Sequence, residues 1–315
     1  MKRFLPLLPA FAVLSSLANE SVGFPETVSY YEHIRPVFQA KCQGCHQPAK
    51  AKSDYVMTEV ARLIAGGEID VAVVPGKPDE SYLMELVVTH AGEQRPEMPP
   101  KDEPLTDYEV RLVSKWIEAG AIDDTPENAK QTYTMDNPPR YAVPPLVTSL
   151  EYSPDGKWIA VAGFHEVLVH HADGSGLANR FVGLSERIES VSFSPDGTRL
   201  LVAGGLPGRM GEIQVWDLEK TELILSKIVG FDTAYGASWS PDGELVAFGL
   251  PDNTVRAVRS ANGEQVLFMG GHNDWVLATD WSVEGDHLVS AGRDMSAKLT
   301  EVASERFIDN ITSIT

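Results

Sequence analysis

The spacing of apolar residues changes once along this chain. Before about residue 122 they recur every three or four positions, the period of an amphipathic helix; after about residue 144 they fall into short alternating or continuous runs, the mark of strands. The first stretch predicts three helices. From Val28 to Phe38, Tyr31, Ile34 and Phe38 share one stripe, and Pro36 is expected to bend or break the helix because it lacks an N–H and crowds the preceding turn. Ser81 to Thr89 offers Tyr82, Leu83, Leu86 and Val87 as an apolar side, with Asp79 or Ser81 as its cap. In the third helix Thr106 stands three residues before Glu109, a capping box, and Val110, Val113, Trp116 and Ile117 follow at helical spacing until Ala119-Gly120.

The second stretch repeats itself. Ser153-Pro154-Asp155-Gly156, Ser194-Pro195-Asp196-Gly197, Ser240-Pro241-Asp242-Gly243 and Ser282-Val283-Glu284-Gly285 recur at intervals of 41, 46 and 42 residues. Each predicts a hairpin turn, with Pro preset for the first corner, Asp tolerating the second and Gly accepting positive φ. Apolar runs such as Leu200-Leu201-Val202-Ala203 and Leu245-Val246-Ala247-Phe248 flank these turns as strands. A period near 40 to 45 residues with several strands per unit is that of a WD-type β-propeller. Trp216-Asp217 ends the third strand of the second unit and Gly271-His272 precedes the fourth unit, while Val169-His170 and Leu299-Thr300 stand where Trp-Asp is expected in the first and fourth. His272, Ser290 and Asp294 fall where such a repeat places an internal hydrogen-bond network, a structural role. His170 and His171 are adjacent in a strand, so they point to opposite faces and make a poor metal pair. Four units are legible where rings typically close with 4 to 8, so the repeats are expected to be C-terminally truncated.

Between the two stretches, residues 126–143 lack apolar periodicity, are rich in Pro and Asn, and read as a linker. At the other end Lys2 and Arg3 precede an apolar run from Phe4 to Leu17, with Ser16-Leu17-Ala18 as a cleavage site: a secretory signal peptide, leaving a mature chain from near Asn19. That run is too short to span a bilayer comfortably, and nothing further along predicts a transmembrane helix. The expected division is therefore 1–18 signal peptide, 19–125 helical domain, 126–143 linker and 144–315 repeats. The formal charge of −19, from 26 basic and 45 acidic residues, disfavours nucleic acid and anionic membranes as partners and would steer a cationic one. It also serves simply to keep an exported protein soluble.

The chemistry is concentrated in Cys42-Gln43-Gly44-Cys45-His46, which holds both cysteines of the chain. A C-x-x-C-H run reads as a c-type haem attachment site. Residues at i and i+3 share one face of a helical turn, so two thiols can bond two vinyl groups of one porphyrin, with His46 as the proximal iron ligand. Such pairs also bind zinc, exchange disulfides or form structural ones. For the sixth position Met98 is the candidate: in Arg95-Pro96-Glu97-Met98-Pro99-Pro100 three prolines stiffen the loop, and the 52 residues from His46 let the chain pass around a porphyrin edge. A His/Met pair raises the reduction potential. Met57 and Met84 compete but sit where methionine is packing material, His90 stands at an expected helix end where an imidazole meets free carbonyls, and His33 is expected to be solvated. Neither half carries a nucleophile–base constellation; Ala203-Gly204-Gly205 reads as turn chemistry rather than a phosphate loop, and Asp123-Asp124 as a solvated domain edge.

With these residues in view, the first domain resembles the cytochrome c domain of large exported planctomycete proteins. The resemblance rests on His33-Ile34-Arg35-Pro36-Val37-Phe38, Cys42 to His46 with Gln47-Pro48, Gly66-Gly67, Val74-Pro75-Gly76-Lys77-Pro78 with Ser81-Tyr82-Leu83, Met98-Pro99-Pro100, and Leu105-Thr106 leading to Trp116-Ile117-Glu118-Ala119-Gly120-Ala121. In that family the haem domain is often joined to WD repeats. The resemblance implies one haem c bound through Cys42 and Cys45 with His46 and Met98 as axial ligands, and no substrate. The expected protein is multidomain: a small all-α c-type cytochrome followed by an all-β WD40-type propeller. Its expected function is single-electron transfer in the periplasm or cell envelope, the propeller docking a redox partner protein. Two other readings are a haem-based redox enzyme or sensor with a labile sixth ligand, and an envelope interaction scaffold.

Overall fold

The computed structural model describes residues 24–68, 71–100, 103–130 and 133–313; the signal-peptide segment lies outside them. Where helices were expected, the chain forms a π-helix Tyr30–Ile34, then α1 (Arg35–Lys41), α2 (Val60–Ala65), α3 (Tyr82–Val87) and α4 (Asp107–Glu118). Of the two outcomes expected at Pro36 the structure has the break: the π-helix ends at Ile34 and α1 begins at Arg35. Pro36 sits in the first turn of α1, where its missing N–H has no partner to lose. The preceding turn is held by Ser29, whose Oγ accepts from Glu32 N at 3.0 Å and whose N–H donates to His33 Nδ1 at 2.9 Å. His33 is thus half-buried and engaged, not simply solvated.

Helix α4 starts as its sequence predicts, with Glu109 N donating to Thr106 Oγ1 at 3.2 Å and Thr106 N donating to Glu109 Oε2 at 2.7 Å. Ser81 stands at the N-cap of α3 but its hydroxyl serves the preceding loop, accepting from Val74 N and donating to Lys77 O, each at 2.9 Å. Trp116 organises the core of this region: its ring packs on Tyr30 and Phe38, and its Nε1 donates to Ile122 O at 3.0 Å. The region is not purely helical. Around the two-residue loop Pro48-Ala49, β1 (His46–Gln47) pairs with β2 (Lys50–Ala51).

The remainder is all β. Strands β3 (Leu150–Tyr152), β4 (Trp158–Ala162), β5 (Phe164–His171), β6 (Leu177–Phe193), β7 (Arg199–Leu206), β8 (Met210–Asp217) and β9 (Glu222–Gly230) form one sheet in sequence order. Two four-stranded meanders follow: β10 (Tyr235–Trp239), β11 (Leu245–Gly249), β12 (Thr254–Arg259) and β13 (Gln265–Gly270), then β14 (Val276–Trp281), β15 (His287–Gly292), β16 (Ser296–Glu301) and β17 (Arg306–Ser313). The first two sequence repeats share one sheet because β6 runs without interruption from the outer strand of one to the inner strand of the next. Arg187 in that strand pairs with both Phe164 and Gly205.

The repeated turns have the predicted chemistry. Gly156, Gly197, Gly243 and Gly285 have φ of 70°, 70°, 69° and 74°, and in the second turn Ser194 Oγ donates to Asp196 Oδ1 at 2.6 Å while accepting from Arg199 N at 2.9 Å. The period-2 alternation of the strands explains the stacking. In β7, Leu200 and Val202 pack with Phe181 and Trp216 toward the first repeat, whereas Leu201 and Ala203 pack with Trp239 and Phe248 toward the third. The register also moves two expected positions by one residue each. Trp216 lies opposite Leu200, and its counterparts in the first and fourth repeats, opposite Ile159 and Leu288, are His170 and Thr300, one residue beyond the Val169 and Leu299 expected from sequence. In the segment expected as a linker, Glu127–Ala129 form a 3-10 turn, and two side chains further on reach β5: Tyr133 packs against Phe164 and His165, and Tyr141 Oη donates to Phe164 O at 2.8 Å.

Candidate functional site

Helix α1 ends at the cysteine motif, and the motif continues it as a turn. Cys42 N donates to Phe38 O at 2.9 Å, and the N–H groups of Cys45 and His46 both reach Cys42 O at 3.1 Å. This carries Cys42, Cys45 and His46 to one side, as the spacing predicts. The two intervening residues have separate duties. Gln43 is buried and its Nε2 donates to Met57 O at 2.9 Å, tying the turn to the core. Gly44 leaves room: a Cβ built there would lie 2.6 Å from Ser226 O.

A cavity of about 540 Å³ opens over this turn, within the size range of cofactor sites. The N-terminal region lines it with Cys42, Cys45, His46, Tyr55, Met57 and Met98. Both cysteines are free thiols, Cys45 exposed and Cys42 partly buried. Burial pushes the Cys42 thiol up to about 12, with the neighbouring Cys45 adding to the shift. Burial also lowers the pKa of His46, which keeps its imidazole neutral, the form that ligates metals. His46 Nδ1 is buried with no hydrogen-bond partner, and the Tyr55 ring packs edge-on at 5.3 Å to hold the imidazole. Met98 is half-buried in the same wall, its backbone fixed by Met98 N donating to Leu86 O at 2.9 Å and by Arg95 Nη2 donating to Pro99 O at 2.5 Å.

The structure separates the other sequence candidates. Met57 lines the cavity but is fully buried in the core, whereas Met84 packs into the core away from it. His90 stands at the end of α3, where its Nε2 meets Glu85 O at 2.8 Å, the helix-end role expected of it. His171 stacks on Trp158, and among the described residues no three or more His, Cys, Asp or Glu side chains cluster to hold a metal ion. Haem c fits the cavity on its own chemistry: two free thiols three residues apart, a neutral imidazole with an unspent buried nitrogen beside them, thioethers in the wall, and an apolar lining.

Sequence reasoning missed part of this site. The far wall comes from β9, residues 224–228, and from Ala261 and Asn262 in the β12–β13 turn. Tyr55 was missed as well. Nothing in the spacing of these residues marks them.

Fold and site together define a helical segment carrying a C-x-x-C-H turn, joined to WD40-type β repeats. Residues 42–102 match the family model described as Planctomycete cytochrome C, and residues 237–315 match that of the Anaphase-promoting complex subunit 4 WD40 domain. The chain is thus similar to a planctomycete cytochrome c fused to WD40 repeats, and its cytochrome-like segment implies a haem of the c type. Among curated relatives, the Eukaryotic translation initiation factor 3 subunit I of Kluyveromyces lactis is 26% identical over 141 residues, 41% of each chain. The Periodic tryptophan protein 2 homolog of Caenorhabditis elegans is 24% identical over 161 residues, 51% of this chain and 18% of that one. The human Echinoderm microtubule-associated protein-like 1 is 30% identical over 115 residues, 35% and 14% respectively. The chain spans less than half the length of each of these relatives. No helix among the described residues is long and apolar enough to cross a membrane.

Proposed function

We propose that this protein is an exported monohaem c-type cytochrome that transfers single electrons, with its repeats acting as propeller blades that dock a redox partner. The observation that carries the reading is the single cavity that takes in Cys42, Cys45, His46 and Met98 together. Cys42 and Cys45 would hold the porphyrin as thioethers, and His46 and Met98 would be the ligands to its iron. Haem c, when bound, supplies reversible one-electron exchange at its iron. The protein's own part is to keep both ligands in similar positions in the two oxidation states. Gln43 and Tyr55 serve that end at His46, and the bonds at Leu86 and Arg95 serve it at Met98. The apolar part of the cavity lining, Leu83, Leu86 and Val87 among it, together with the Met98 thioether would tune the potential upward.

Four sequence repeats, each supplying inner-to-outer strands, are read as four blades, and residues 19–125, 126–143 and 144–315 as cytochrome domain, linker and propeller. The net charge of −19 suits a cationic electron donor or acceptor in the periplasm or cell envelope.

The test is an absorption spectrum, oxidised and reduced, of protein made with cytochrome c maturation machinery, set beside Met98→Ala. Covalent low-spin haem whose sulfur-to-iron charge-transfer band disappears in the variant is the expected result. High-spin haem unchanged by the substitution would defeat Met98 as a ligand and favour chemistry at iron over electron transfer. Absence of covalent haem would defeat the proposal as a whole.

A further inference from the structure

Strand β9 ends the seven-stranded sheet. It pairs with β8 on one side only, so its other edge carries a row of backbone groups that a sheet has to cover. That edge is met by the cysteine turn. Lys50 Nζ donates to Ile224 O at 2.7 Å, Ser226 O lies against Gly44, and Ala49 packs into the core that contains Trp216 and Leu223. A second contact pins the seam further along, where the Arg209 guanidinium lies 4.5 Å from the centre of the Tyr31 ring. From the third repeat, Gly263 approaches Leu225 and Lys227 closely, which brings Ala261 and Asn262 to the same cavity.

Given the haem c reading above, we infer that β9 and the Ala261-Asn262 turn form the second wall of the haem site, so that the repeats set the exposure and the potential of the haem. The N-terminal region supplies the thiols and ligands on one side of the cavity. Cys45 remains exposed in the full chain, and β9 with the third-repeat turn lines the cavity it faces from the other side. The potential of a haem depends on the charge and dielectric around it, so side chains more than 170 positions from His46 become determinants of it.

The experiment uses the full haem-loaded chain and reads the ferrous-to-ferric ratio at one fixed applied potential. A charge placed at the wall interacts through a medium of low dielectric, so Ile228→Glu is expected to move the ratio toward ferric by about tenfold and Ile228→Lys toward ferrous by a like factor. Asn262→Asp moves it toward ferric by roughly threefold; Asn262 is exposed and its Oδ1 accepts from Glu264 N at 3.0 Å, a bond that aspartate keeps. This variant carries the test if the Ile228 variants do not fold. Val283→Glu, on a turn of the fourth repeat and 87% exposed, changes net charge equally and leaves the ratio within about twofold, because water and salt screen it. Covalent haem whose ratio is unmoved by the wall variants overturns the inference and leaves the haem reading standing. A wild-type chain without covalent haem overturns both.

Discussion

The carbonyl oxygen of Ser226 occupies the space where a side chain on Gly44 would begin, 2.6 Å from an ideal Cβ. Gly44, the second of the two residues between the cysteines, is therefore in contact with the second repeat, although its place in the motif imposes no such requirement. The obstruction is a backbone atom of a paired strand, which cannot swing aside as the end of a long side chain would. Gly44→Ala is expected to destabilise the chain by about 1–3 kcal/mol, as overpacking in a tight interior does, with a lowered midpoint in urea. An unchanged midpoint would mean that the turn and β9 separate readily.

His272 in the fourth repeat joins two side chains: its Nδ1 lies 3.0 Å from both Asp294 oxygens and its Nε2 lies 2.9 Å from Ser290 Oγ. Burial raises the Asp294 pKa, but hydrogen bonds from Asn273 N, His272 and Ser296 outweigh it and hold the carboxyl well below the usual range. A carboxyl with a depressed folded pKa contributes stability that is present above its unfolded value of 3.8 and is lost as pH falls toward the folded one. Asp294→Asn is expected to lower Tm at pH 7 and to narrow that loss in acid; equal losses of Tm at pH 7 and pH 3 would contradict this.

Glu212 has the opposite sign. It is fully buried and accepts hydrogen bonds from Ser185 at 2.6 Å, Ser226 at 2.5 Å and Gln214 at 2.7 Å, all neutral donors. Burial raises its pKa despite these three bonds. The folded state therefore binds the proton more tightly than the unfolded chain, and this contribution, full below the unfolded value of 4.5, disappears as pH rises through the folded pKa. Glu212→Gln cannot ionise. Relative to the native chain it should gain Tm as pH is raised from 5 to 8, and a pH-independent difference between the two would refute the assignment.

Thr106→Ala removes one side of the capping box of α4 and is expected to cost about 1 kcal/mol. Thr106→Ser keeps the accepting oxygen for Glu109 N and should cost much less. Denaturant midpoints of the two variants separate the hydrogen bond from the loss of a methyl group.

Much of this architecture was legible because it is written in local spacing. The capping box at Thr106, the Ser-Pro-Asp-Gly turns with their positive-φ glycines, and the three-residue step between the cysteines each depend on neighbours within a few positions, so the pattern and the geometry carry the same information. The local reading erred where a neighbour could not decide the outcome. The Trp-Asp register of the first and fourth repeats slipped by one because cross-strand pairing, not the motif, fixes it.

What the sequence determined by itself was the division into a helical and a repeating half, the turn that presents Cys42, Cys45 and His46, and Met98 as a distant thioether. Only the tertiary structure decided that Met98 and His46 line one cavity, that Tyr55 braces the imidazole, and that β9 closes the other side. The reason lies in which atoms make those contacts. Lys50 and Gly44 meet the main-chain carbonyls of Ile224 and Ser226, and a carbonyl is the same in every residue, so a wall built from it leaves no trace in the order of side chains.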